Sequence, residues 1–170
     1  MAAEILQPTR TEPDRAAMVR MIRQNEGFRP TTYRDTVGKR TIGIGFNLDD
    51  PTTAQMLPQD VVSGARPLAL QEAETIFQNK RLPVAMSDAT NFMGSEAFQA
   101  LDPVRQGVLV DLAYNMGGPS LAGFKKMKAA LLAGDYASAS NELLSSKYAR
   151  QLPNRAKRNA LMLLTGKLSE

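Results

Sequence analysis

EGFRPTTYRDTVGKRTIGIGFN, from Glu26 to Asn47, is the stretch on which the reading of this chain turns. Just upstream, Ala17, Met18, Met21 and Ile22 recur at i, i+1, i+4 and i+5, one apolar face of a helix. Asp14 is placed to cap that helix, and Gly27 to stop it. Past Gly27 the periodicity changes. Tyr33–Val37 and Arg40–Ile44 are short runs rich in Tyr, Val, Thr and Ile around Gly38, which predicts a small antiparallel sheet with a tight turn near Val37–Lys39. Phe46 to Pro67 is rich in Asp, Pro, Gln and Ser and reads as loop with one short helix.

Beyond Leu68 the pattern is helical nearly to the end. Leu70, Ala73, Ile76 and Phe77 open a long amphipathic helix that should end or kink at Pro83. A helix over Pro103–Met116 follows, with Val104, Val108, Leu112 and Ala113 inward, and Gly117-Gly118-Pro119 terminates it. Phe124–Ala133, Tyr136–Ser145 and Asn154–Leu164 complete the set, the last opened by Pro153 and closed by Gly166. The expected fold class is therefore α+β, predominantly helical. One early hairpin precedes five or more helices, and a groove between the two parts is the natural ligand site.

At 170 residues the chain has room for one domain with a core of its own, or two small lobes sharing one, but not two independent domains. Apolar residues at 43% and charged residues at 22% exclude wholesale disorder. There is no cysteine and no histidine, so thiolate nucleophiles, Ser-His-Asp triads, and cysteine- or histidine-ligated metals are excluded. Chemistry falls to Asp, Glu, Lys, Tyr, Ser or Thr. A net charge of +4 draws the protein towards polyanions, among them acidic wall polymers, though surplus surface lysines alone would give the same figure.

Glu26 at a helix end and Asp35 in the β region can flank a groove. Two carboxyls without histidine suit glycoside hydrolysis, in which one donates its proton to the leaving oxygen while the other stays ionised. Glu26 lies at the negative end of a helix macrodipole, and Ile22 and Phe28 can desolvate it; both disfavour its anion. Arg34, Lys39 and Arg40 neighbour Asp35 in sequence and favour the ionised form there. Thr41 offers a hydroxyl able to orient a water. Taken alone the pair is weak, because acidic residues beside turns are most often solvated surface groups.

The spacing Glu-x8-Asp-x5-Thr, with Gly27 after the glutamate and Thr-Ile-Gly-x-Gly from Thr41, resembles the active-site signature of the phage-type lysozymes. Leu70–Phe77 resembles that family's inter-lobe helix. Ala113-Tyr-Asn-Met-Gly117 is similar to its groove-lining helix end, followed by Ala122-Gly-Phe124, and Pro153-Asn-Arg-Ala-Lys-Arg158 is nearly unchanged. The resemblance implies Glu26 as general acid, Asp35 as activator of water and Thr41 as its holder. It also implies Tyr114, Asn115 and Phe124 as substrate contacts, and Arg155 approaching Glu26 from the opposite lobe, where it would oppose the helix dipole. Residues 1–13, with weak periodicity, two prolines and alternating charge, read as a flexible arm outside the resemblance, which implies one lysozyme-like domain at 14–170. Within that domain a β-containing lobe spans about 26–68, an inter-lobe helix starts near 70, and a helical lobe runs to 168. The implied activity is hydrolysis of the β-1,4 bond between N-acetylmuramic acid and N-acetylglucosamine in peptidoglycan, with inversion, no metal and no cofactor.

Phe46 stands where a member of that family carries a histidine, so an ion pair built on that histidine is lost. Asn25 replaces an aspartate, which removes a partner for Arg158. Phe46–Pro67 aligns poorly.

Gly43-Ile-Gly45 lacks the third glycine of a dinucleotide loop and reads instead as close strand packing or room for sugar. The basic runs Lys125, Lys126, Lys128 and Arg150, Arg155, Lys157, Arg158 carry no nucleic-acid-binding motif, so no nucleic-acid partner is expected. Met1–Arg10 lacks the apolar core of a secretory signal and no window is long enough to span a bilayer, so the product is expected to start soluble in the cytoplasm, as a monomer. Access to the wall would then need a holin-type pore or carriage in a virion. The competing class is a catalytically silent wall-binding or virion module on the same scaffold.

Overall fold

The computed structural model describes residues 14–169, so the arm expected at 1–13 lies outside the described residues. Helix α1 (Arg15–Glu26) begins where expected. The Asp14 side chain accepts from the Ala17 N–H at 2.9 Å. It stops at Gly27, whose φ of 68° leaves the helix while its N–H still reaches the Arg23 carbonyl. Met18, Met21 and Ile22 are its buried face.

Three short strands follow: β1 (Arg29–Arg34), β2 (Arg40–Gly43) and β3 (Phe46–Asn47), antiparallel in the order β1-β2-β3. The register pairs Tyr33 with Thr41 and Ile42 with Phe46. The hairpin differs from expectation at both ends. β1 starts four residues before Tyr33 and stops before Asp35, with a register shift between Arg29 and Tyr33. Pro30 and two threonines hide the strand from an apolar-alternation reading, because β1 is almost wholly exposed. The third strand was not expected: after Gly43 (φ 67°) and Gly45 (φ 65°) the chain doubles back. Two short helices, α2 (Pro51–Ala54) and α3 (Gln59–Val62), occupy the segment read as loop with one helix.

Helix α4 (Leu70–Ile76) runs through a π-turn (Phe77–Arg81) into α5 (Leu82–Met93). Pro83 neither ends nor breaks this helix. The Leu82 N–H reaches the Phe77 carbonyl five residues back, and the widened turn accommodates a proline that has no N–H to give. A short helix without a sequence signal, α6 (Ser95–Ala100), leads to α7 (Pro103–Met116). Helix α7 has its predicted bounds: the Asp102 side chain accepts from the Arg105 N–H at 3.0 Å, Pro103 opens it and Gly117 ends it at φ 81°. Every residue from Gln106 to Tyr114 is buried, so α7 is surrounded rather than one-sided. Helix α1 crosses it closely at Gly107, where a Cβ would stand 3.1 Å from Met21 Cε.

The rest is helical: α8 (Gly118–Ala122), α9 (Lys125–Leu132), α10 (Tyr136–Leu144), α11 (Lys147–Gln151) and α12 (Pro153–Thr165). Helix α12 packs on α7, α10 and α11, which brings its first turn to the end of α1. The fold is α+β, mostly helical, with a small antiparallel sheet near the N-terminus.

Candidate active site

The end of α1, the β1–β2 turn and the first turn of α12 border one cleft of about 1860 Å³. Glu26, Asp35, Thr41, Tyr114, Asn115, Phe124 and Arg155 all line it. Glu26 is the last residue of α1, and its side chain is 14% exposed. Its Oε1 accepts from Arg155 Nη1 at 2.6 Å. Its Oε2 lies over the backbone of the β2–β3 turn: a Cβ at Gly45 would stand 2.5 Å from that oxygen. Gly45 is therefore required twice, for its positive φ and for the carboxyl above it. Gly43 makes room in the same way for Leu68 and Phe46.

Arg155 is itself 7% exposed and is gripped from behind. Its Nε donates to Asp111 Oδ2 at 3.1 Å and its Nη2 to Asp111 Oδ1 at 2.7 Å. Burial alone would lower the pKa of this guanidinium, but the Asp111 and Glu26 carboxylates outweigh it and hold the value above the ordinary one. Asp111, on α7 and fully buried, also accepts from Asn25 Nδ2 at 3.1 Å and Asn159 Nδ2 at 2.8 Å. Arg158 keeps a partner despite the asparagine at 25, since its Nη2 donates to Asn25 Oδ1 at 2.6 Å. The sequence reading missed this because the carbonyl end of an amide accepts as a carboxylate does. Phe46 is 1% exposed and fills core.

Asp35 opens the β1–β2 turn. Its Oδ1 accepts from the Val37 and Lys39 N–H groups at 3.0 and 2.9 Å, which fixes the side chain in place. The neighbouring arginines are engaged elsewhere: Arg34 Nη1 donates to the Gly38 carbonyl, and Arg40 pairs with Asp49 at 2.7 Å. Backbone N–H groups, not the expected side-chain cations, are the hydrogen-bond donors to Asp35. Thr41 is buried in β2 opposite Tyr33, and its hydroxyl donates to the Lys39 carbonyl at 3.1 Å.

Tyr114 is nearly buried in the floor of the cleft. Its hydroxyl donates to the Ile44 carbonyl, and its ring meets Phe77 edge-on at 5.2 Å. Burial and then the nearby Glu26 carboxylate push its phenol pKa up, as they do for Tyr33 across the cleft. Asn115 is exposed, and Phe124 stands half-buried at the start of α9. The sequence reading did not find Asp111, Asn159 or the double role of Gly45. Asp111 carried a weak signal: it is the one acidic residue in the apolar run Val108–Ala113. Arg81 was also missed; it lines the cleft from the π-turn, and its buried Nε has no partner.

A family model for phage lysozyme matches residues 23–161. The pre-baseplate central spike protein Gp5 of Enterobacteria phage T4 is 29% identical over 95% of this chain, which spans only 30% of that protein's length. Two proteins of Dictyostelium discoideum, probable T4-type lysozymes 2 and 1, are 26% and 25% identical over 88% of this chain and over 95% and 94% of their own lengths.

Proposed function

This chain belongs to the phage lysozyme family, and on that premise we propose that it hydrolyses the β-1,4 bond between N-acetylmuramic acid and N-acetylglucosamine in peptidoglycan. Glu26 donates its proton to the leaving glycosidic oxygen. Asp35 draws the proton from a water on the other side of the sugar, and Thr41 helps to hold that water. The water attacks the anomeric carbon directly, so configuration inverts, and the two carboxyls should stand roughly 6.5–9.5 Å apart to admit it. Tyr114, Asn115 and Phe124 line the path of the glycan. The single observation that carries this reading is that Glu26, Asp35 and Thr41 all open on one cleft, with Glu26 clamped by Arg155.

A second reading is supported by the likeness to a spike protein: the domain serves in a virion, as a wall-cleaving or a catalytically silent part. A binding module has no use for a clamped glutamate and a tethered aspartate on one cleft, so we favour cleavage. Turbidity clearing of a bacterial wall suspension tests it. Wild-type protein should clear the suspension and Glu26→Gln should not; clearing by Glu26→Gln at near wild-type rate sinks the proposal. New reducing ends on muramic acid mark hydrolysis, whereas anhydro-sugars would mark a lytic transglycosylase.

A further inference from the structure

We propose that Asp111 is a positioning residue, a buried counter-charge that holds Arg155 against Glu26 and sets the upper pH limit of cleavage. The proposal rests on Glu26 being the acid. Asp111 touches no cleft surface and is 0% exposed, yet each of its oxygens accepts two N–H donors. Three of its four bonds come from the α12 residues Arg155 and Asn159, and the fourth from Asn25, which precedes Glu26. One carboxylate therefore ties three helices together at the acid.

The count of charge explains why a carboxylate is needed there. Arg155 is nearly buried and faces two carboxyls, Glu26 and Asp111. With Asp111 ionised, the trio is neutral when Glu26 carries its proton. Without Asp111, the trio is neutral only when Glu26 has lost it. An unbalanced guanidinium at 2.6 Å would strip the acid of the proton it must deliver. The remaining groups around the cluster do not supply that balance. Arg158 adds a further cation beside Asn25. Arg29 on β1 and Arg81 on the π-turn, which act with Glu26 on Tyr33 and Tyr114, are cations too. Asp35, the carboxylate of the β1–β2 turn, is bound by the Val37 and Lys39 N–H groups rather than by Arg155. Tyr33, Tyr114 and Tyr148 have phenols raised by burial first. Asn25 and Asn159 are neutral.

The test is the pH profile of wall lysis, measured as kcat and KM from about pH 4 to pH 9. Asp111→Asn, which keeps the shape of the side chain, should move the alkaline limb towards acid by roughly one pH unit or more, with KM little changed. Relocating the charge in Asn25→Asp/Asp111→Asn should return the limb towards wild type. Asn25→Asp alone adds a second carboxylate beside the cluster and should move the limb towards alkali; it decides the matter if Asp111→Asn does not fold. Limbs that stay in place in these variants, or activity lost equally at all pH values, overturn the proposal. If Glu26→Gln still lyses walls, it is the assignment of the acid that has failed. If Glu26→Gln is dead and the limbs do not move, only the role of Asp111 has failed.

Discussion

Replacing Gly45 by alanine isolates the contact between the β2–β3 turn and the Glu26 carboxyl. The new Cβ would lie 2.5 Å from Oε2 and 2.8 Å from Cδ of Glu26. Ordinary van der Waals contact needs about 1 Å more, and a misplacement of that size at a reacting group costs on the order of 10²-fold in rate. The φ of 65° adds strain of about 1–2 kcal/mol for any L side chain. That strain corresponds to a Tm lower by roughly 2–8 °C for a chain of this size. Gly64→Ala is the matched control. Gly64 has φ 81°, a Cβ there meets nothing within 4 Å, and it does not line the cleft. Both variants should lose similar Tm by circular dichroism, but only Gly45→Ala should lose lysis in the turbidity assay. If Gly45→Ala cleared walls within about threefold of Gly64→Ala, at a temperature where both are folded, the carboxyl would not be held where its proton is needed.

Asp35→Asn should cut lysis severely and Thr41→Ala less, measured as initial clearing rates, because on the proposed mechanism the first loses the base and the second only a water-holding hydroxyl. Tyr114→Phe should lower stability by about 1–3 kcal/mol in urea unfolding, since it deletes the buried donor to the Ile44 carbonyl while keeping the ring against Phe77. Glu72 is held down at about 2, first by its hydrogen bonds from Arg66 and then by the Ala69 N–H. A depressed carboxyl stabilises the fold fully above its ordinary value of 4.5 and loses that contribution as pH falls towards about 2. Glu72→Gln should therefore flatten the fall of Tm between those pH values; the pair is solvent-exposed, so the change will be small. An acid slope that is as steep in Glu72→Gln as in wild type would refute it.

Those parts of the fold set by local rules were legible in the sequence. Asp14 and Gly27 bound α1, and Asp102-Pro103 and Gly117 bound α7, because caps and breakers act within one turn. β1 was misread at its start because its residues face solvent and carry no apolar alternation. α6 and α11 are five or six residues long, too short for a helical period to repeat. Glu26, Asp35 and Thr41 were singled out by the resemblance of their spacing to a family signature, which a short segment can carry, and all three line the cleft. Asp111 and Asn159 come to Glu26 from 85 and 133 residues further along, and only tertiary packing makes them neighbours. Gly45 was read as packing space or room for sugar, but the group that fills its space is the carboxyl of Glu26.

The π-turn at Phe77–Arg81 works as a phase corrector. On an unbroken helix of 3.6 residues per turn, Ala73 and Phe77 lie within about 40° of each other, while Leu82, Ala85, Ala89 and Phe92 cluster about 100–180° further round. All six are buried. One surplus residue winds the later group back by roughly 100°, which aligns both stripes on a single side. Deleting one residue from this segment would regularise the backbone ladder and at the same stroke swing the stripe on α5 out towards solvent. The apparently imperfect coil is the one this sequence demands.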